Sequence, residues 1–132
     1  MTVRVVRDQQ AAMRHVIQVG PNSFPTDLGA AQGGEGSGPT PHDLYDAALG
    51  ACTALTILLH AKHKQIPVAG IEVCVDRDAS QEREGVYRLS AVLRLTGELS
   101  HAQRGELLRV AEKCPVHKLM TEVTTEVSTV LG

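Results

Sequence analysis

The chain has 132 residues, 42% of them hydrophobic and 21% charged, with a formal net charge of -2. That balance fits one globular domain over residues 1–132 and excludes a disordered or fibrous chain. Aromatic residues make up only 2% and Lys and Arg are scattered, so base-stacking platforms and a basic footprint for nucleic acid or anionic lipid are both missing.

In chain order, Val3 and Val5, then Val16, Ile17 and Val19, read as two short antiparallel strands, with RDQQAAMR as the turn region. The charges in MTVRVVRDQQ argue against a signal peptide, and no apolar stretch reads as reaching the roughly 18 residues of a membrane span. The expectation is a cytoplasmic protein without membrane or nucleic-acid partners. From Pro21 to Pro41 the composition is that of a loop, with Gly29, Gly33, Gly34, Gly36 and Gly38. Its GGEGSGP lacks the lysine and spacing of a phosphate-binding loop and reads as a flexible connector or a backbone lying close to a site.

Thr40, Pro41 and Asp43 supply a cap, a proline at the first helical position and an acid three residues after the cap, which predicts a helix running to about Lys64. Leu44, Ala48, Cys52, Leu55 and Leu59 recur at spacings of three and four, and Leu49, Ile57 and Leu58 widen the apolar surface almost all round. A helix of this kind belongs inside a fold, and the small residues Ala47, Ala48, Gly50 and Ala51 let another backbone approach just before Cys52.

After Pro67 the pattern alternates. Ile71, Val73 and Val75 share one strand face and Glu72, Cys74 and Asp76 the other, so Cys74 reads as a bystander on the polar face. A polar hairpin, DASQEREG, leads to a second strand in which Tyr87, Leu89, Ala91, Leu93 and Leu95 share a face. Ser100 and Gln103 form another capping box before a helix that buries Leu107, Ala111 and Cys114. Pro115 then breaks or restarts the helix and leaves Cys114 beside a helix start. Val123, Val127 and Leu131 read as a last strand. The expected layout is βββ-α-ββ-αα-β, an α+β domain with helices against an antiparallel sheet.

Three cysteines are too few and too odd a number for a secreted disulfide scaffold, which leaves a reactive thiol or a metal ligand as the rival to plain packing. A cysteine on an apolar helix face is ordinarily inert. His60 and His63, or Cys114 with His117, have ligand-like spacing, but too few donors gather for a zinc site. The histidines read better as the solvated helix end, where imidazole complements the dipole, and His117 as a group that tunes Cys114.

The stretch GGEGSGPTPHDLYDAALGACTALTILLHAKHK, followed by CPVHKLM, resembles the OsmC/Ohr family of thiol-dependent peroxidases over nearly the whole chain. The resemblance implies an OsmC-like α+β fold with a long buried central helix and an intertwined homodimer with two sites at the subunit interface. It implies a cysteine-based peroxidase in which Cys52 attacks a hydrogen or organic hydroperoxide and Cys114 resolves the sulfenic acid to a disulfide. No cofactor or metal is needed, only an external reductant, a small thiol or a lipoylated protein.

The family also supplies an arginine from the first hairpin to ionise the thiol. Here Arg14 falls nearest that position, with Arg7 as runner-up. The partner acid stands ten residues before the cysteine, where this chain has His42 with Asp43 beside it. His42 cannot hold an arginine as a carboxylate would; Asp43 could, or could serve only as the helix-cap acid. Ten residues of helix span about 15 Å, too far for a side chain near position 42 to reach Cys52 of its own helix. The competing reading is a non-catalytic OsmC-like stress or small-ligand-binding protein whose cysteines only pack.

Overall fold

The computed structural model describes residues 1–132, which form two compact units, Met1–Tyr45 and Asp46–Gly132. In the first, β1 (Val3–Arg7), β2 (His15–Val19) and β3 (Asn22–Thr26) make an antiparallel sheet in the order β1-β2-β3. Val3 faces Val19 and Arg7 faces His15, so the expected hairpin forms around RDQQAAMR. The strand β3 is the third strand that the expected layout counts before the helix, and it lies in the stretch from Pro21 onward whose composition reads as loop. Val19 pairs with Asn22 across a two-residue turn, and Gly20 takes the positive φ of 56° that such a turn demands.

The helix α1 (Pro41–Lys64) begins and ends as predicted. The Thr40 backbone N–H donates to the Asp43 carboxylate at 2.9 Å, and the Asp43 N–H donates to the Thr40 hydroxyl at 3.1 Å, a reciprocal cap. At 24 residues this helix is long and apolar enough to cross a membrane by length and composition alone, which corrects the reading that no stretch reaches that length.

In the second unit, β4 (Gly70–Asp78) pairs with β5 (Arg88–Thr96) from Gly70–Thr96 to Asp78–Arg88. The helix α2 (His101–Ala111) follows the Ser100–Gln103 capping box, and α3 (Pro115–Thr121) restarts at Pro115. The core is Ile57, Ala61, Leu107 and Ala111, flanked by Ile66, Val68, Ile71, Leu93, Leu95 and Leu99. Alternation in β4 and β5 therefore points the side chains as the sequence implied. Gly50 sits where an added Cβ would come within 3.3 Å of the Val75 side chain on β4, so the close neighbour there is a side chain and not the backbone that the small residues before Cys52 suggest.

Two expectations fail. The buried stripe of α1 is Asp46, Leu49, Thr53, Ile57 and Ala61, while Leu55 and Leu59 are 61% and 70% exposed. A helix apolar almost all round offers periodicity no means of choosing a face, and the covering elements choose it. The last strand does not form, because residues 123–132 have no regular structure and are exposed, with Val127 at 83%.

Candidate functional site

Cys52 lies on α1 at the rim between buried and exposed faces, half-buried, with Sγ 3.8 Å from the Thr56 hydroxyl one turn on. Cys114 is fully buried and is the N-cap of α3 in extended backbone conformation (φ -66°, ψ 147°). Its Sγ accepts the His117 backbone N–H at 3.3 Å, so His117 reaches the sulfur through its main chain. The other neighbour of that sulfur is the Thr53 hydroxyl, 3.8 Å away and itself buried. Thr53 directly follows Cys52, so α1 presents one cysteine at its rim and holds the second through the next side chain. All three cysteines are free thiols.

The remaining sequence-assigned residues, Arg14, His42 and Asp43, belong to the first unit. Arg14 donates from Nε and Nη2 to Asp8 Oδ2 at 2.9 and 2.8 Å, and from Nη1 to the Ser37 hydroxyl at 3.2 Å. Its carboxylate partner is thus Asp8, which the sequence reading did not single out. The Asp8 carboxyl is held below its ordinary range by the Gln10 N–H and then by the Arg14 guanidinium. Asp43 acts as cap acid, and His42 lies exposed on the first turn of α1.

Behind Arg14 the glycine-rich stretch is wound around one carboxylate, which corrects its reading as a flexible connector. Asp27, 4% exposed, accepts the N–H groups of Leu28, Glu35 and Ser37 and the Ser37 hydroxyl, the last at 2.6 Å. The Ser37 hydroxyl leads the causes that push its pKa well down. Gly34 has no room for a side chain, since a Cβ would lie 2.8 Å from Asp27 Oδ1 and closer still to the Leu28 carbonyl.

Another buried carboxylate lies on α1 itself. Asp46 accepts from Arg77 Nε at 2.6 Å and from the Tyr87 hydroxyl at 2.7 Å, tying the helix to β4 and to the residue before β5. Burial, then the bond to Asp46, pushes the Tyr87 phenol up to about 12. A carboxylate inside an apolar helical run was the signal that could have found this network.

His60 pairs with Glu106 of α2 at 2.8 Å, so it joins two helices and is not merely a solvated helix end. Cys74 donates to Glu72 at 3.1 Å beside Arg94, and the Glu72 carboxylate, then burial, raises its pKa.

Two of the three thiols lie on neighbouring segments of one unit, one half-exposed and one sealed at a helix start, and they mark the candidate site of a small α+β protein. The chain belongs to the OsmC-like protein family, whose sequence profile matches residues 34–128. The fold is similar to that of the OsmC-like protein from Mycoplasma pneumoniae, at 17% identity and TM-score 0.73 over 92% of this chain and 87% of that one. It is also similar to an organic hydroperoxide resistance protein OsmC from Legionella pneumophila, at 20% identity and TM-score 0.66 over 92% and 90%. The organic hydroperoxide resistance protein OhrB of Bacillus subtilis matches at 25% identity and TM-score 0.61, over 92% of both chains. No curated protein sequence matches the chain.

Proposed function

We propose that this protein is a thiol-dependent hydroperoxide reductase in which Cys52 is the peroxidatic and Cys114 the resolving residue. The observation that carries this reading is the unequal burial of two thiols held by one stretch of α1. Cys52 is half-buried, and Cys114 is fully buried against Thr53. Only the first can meet a solvent-borne peroxide, and the second is shielded from direct oxidation. Relatives named for organic hydroperoxide resistance support the substrate class.

The chemistry runs in two steps. The Cys52 thiolate attacks the distal peroxide oxygen, the O–O bond breaks, and the alkoxide takes a proton to leave as alcohol, which makes a sulfenic acid. The Cys114 sulfur then attacks the sulfenic sulfur, an S–S bond forms, and hydroxide leaves with the thiol proton as water. An external thiol or dithiol returns both cysteines to the reduced state. Resemblance assigns the thiolate's cation to Arg14, with Arg7 as runner-up; one N–H bond each from Arg14 Nε, Nη1 and Nη2 to Asp8 and Ser37 holds its guanidinium in one orientation.

The working form we propose is a homodimer. Ala48, Ala51, Leu55 and Leu59 are adjacent along the exposed side of α1, an apolar stripe of the kind that a second chain covers.

The test is to mix reduced protein with a sub-stoichiometric alkyl hydroperoxide and to count peroxide and free thiols over time. Wild type loses two thiols per peroxide, Cys52→Ser consumes none, and Cys114→Ser stops at a sulfenate that a 1,3-dione traps. Equal, slow loss in all three would leave the non-catalytic reading.

A further inference from the structure

Of the five side chains that α1 buries, Thr53 is the only neutral polar one, between Leu49 and Ile57 of the same stripe. A hydroxyl placed there without a partner is costly compared with a valine of the same shape. Its cross-element partner is the Cys114 sulfur, 61 residues away in sequence, and both groups are buried. No buried side-chain nitrogen or oxygen lacks a hydrogen-bond partner.

We infer that Thr53 is a positioning residue for the second step of the proposed reaction: its hydroxyl sets where the Cys114 sulfur waits for the oxidised Cys52. The inference rests on the thiol-peroxidase reading above. Two facts make the placement specific. Consecutive Cα atoms stand 3.8 Å apart, so a sulfur 3.8 Å from the Thr53 hydroxyl lies within roughly 10 Å of the Cys52 Cα. The second fact is angular. Neighbouring side chains on a helix diverge by about 100°, so the sulfur under Thr53 is close to Cys52 but not on its side of α1. Cys114 is thus held one helix position round from its target.

The other grip on the sulfur is the His117 N–H, which belongs to α3 and not to the helix that carries Cys52. Thr53 is therefore the contact that couples the waiting thiol to the segment that is oxidised. Loss of its hydroxyl leaves Cys52 and its half-exposed setting untouched, so the first step keeps its rate. The second step slows, because the resolving sulfur is no longer held in register.

The experiment compares the full-length wild type, Thr53→Val and Thr53→Ser in single turnover with tert-butyl hydroperoxide. It follows peroxide loss for the first step, and sulfenate trapped by a 1,3-dione against disulfide formed for the second. Thr53→Val is expected to consume peroxide within about twofold of wild type and to close the disulfide about tenfold more slowly, the rate equivalent of one hydrogen bond. Thr53→Ser, which keeps the hydroxyl, restores closure to near the wild-type rate. Should Thr53→Val fail to fold, Thr53→Ala against Thr53→Ser makes the same comparison of one hydroxyl. Disulfide closure at the wild-type rate in the hydroxyl-free variant overturns the role of Thr53 and leaves the peroxidase reading standing. A wild type that consumes no peroxide overturns both.

Discussion

Asp46→Ala removes the carboxylate that pins the first half of α1 to the β4–β5 pair. The side chain of Asp46 is 10% exposed and that of Arg77 34%, so the pair is largely but not wholly dry. Two hydrogen bonds to a charged acceptor are lost, each worth about 1.5–3 kcal/mol, and breaking a buried pair costs about 3–5 kcal/mol when the remaining charge stays buried. Arg77 can turn partly into water, which reduces that cost, and about 3 kcal/mol is expected for Asp46→Ala. For a chain of this size that lowers the melting temperature by about 10 °C. Tyr87→Phe removes one bond and should cost about 1.5 kcal/mol. The double variant should lose less than the sum, because both single changes delete the same bond. Urea unfolding at fixed protein concentration, with Tyr87 ionisation followed by NMR, is the assay. In Asp46→Ala the phenol should titrate below its raised value of about 12, yet stay above an ordinary tyrosine, because burial is the larger cause. Stability of Asp46→Ala within about 0.5 kcal/mol of wild type would refute the network as an anchor.

Asp27 predicts acid sensitivity. Its donors favour the carboxylate, so its folded pKa lies below the unfolded value; the stabilisation is complete above the unfolded pKa and is lost as pH falls toward the folded one. Acid unfolding followed from about pH 5 downward should therefore begin at lower stability and be shallower in Asp27→Asn than in wild type, and identical slopes would contradict the cage. Glu72→Gln should make Cys74 react faster with iodoacetamide at mildly alkaline pH, by about threefold, since the carboxylate that raises the thiol pKa is gone. Leu59→Glu should convert the proposed dimer to monomer in sizing experiments, and a well-folded wild-type monomer at micromolar concentration would remove the dimer from the account.

Much of the local structure was legible because it is written in short-range chemistry. The Thr40–Asp43 and Ser100–Gln103 boxes announce helix starts through side chains that bond backbone amides three residues away, and both occur. Pro115 reads as a helix restart because it has no N–H to give, and α3 starts there. The expected layout counts a third strand before the helix, and Gly20 marks the two-residue turn into it, but the prolines and glycines that follow hid its position.

What the residues by themselves determined, then, is the order of elements as far as α3 and the presence of two cysteines in unlike settings, because caps, turns and alternation act over a few positions. Tertiary structure alone decided which side of α1 is covered, that Thr53 and not another residue holds Cys114, that Asp8 is the carboxylate on Arg14, and that the glycines wrap Asp27. Each of those outcomes joins positions between 6 and 61 residues apart. A face of an apolar helix, or a partner for a hydroxyl, is settled only when another element arrives to occupy it.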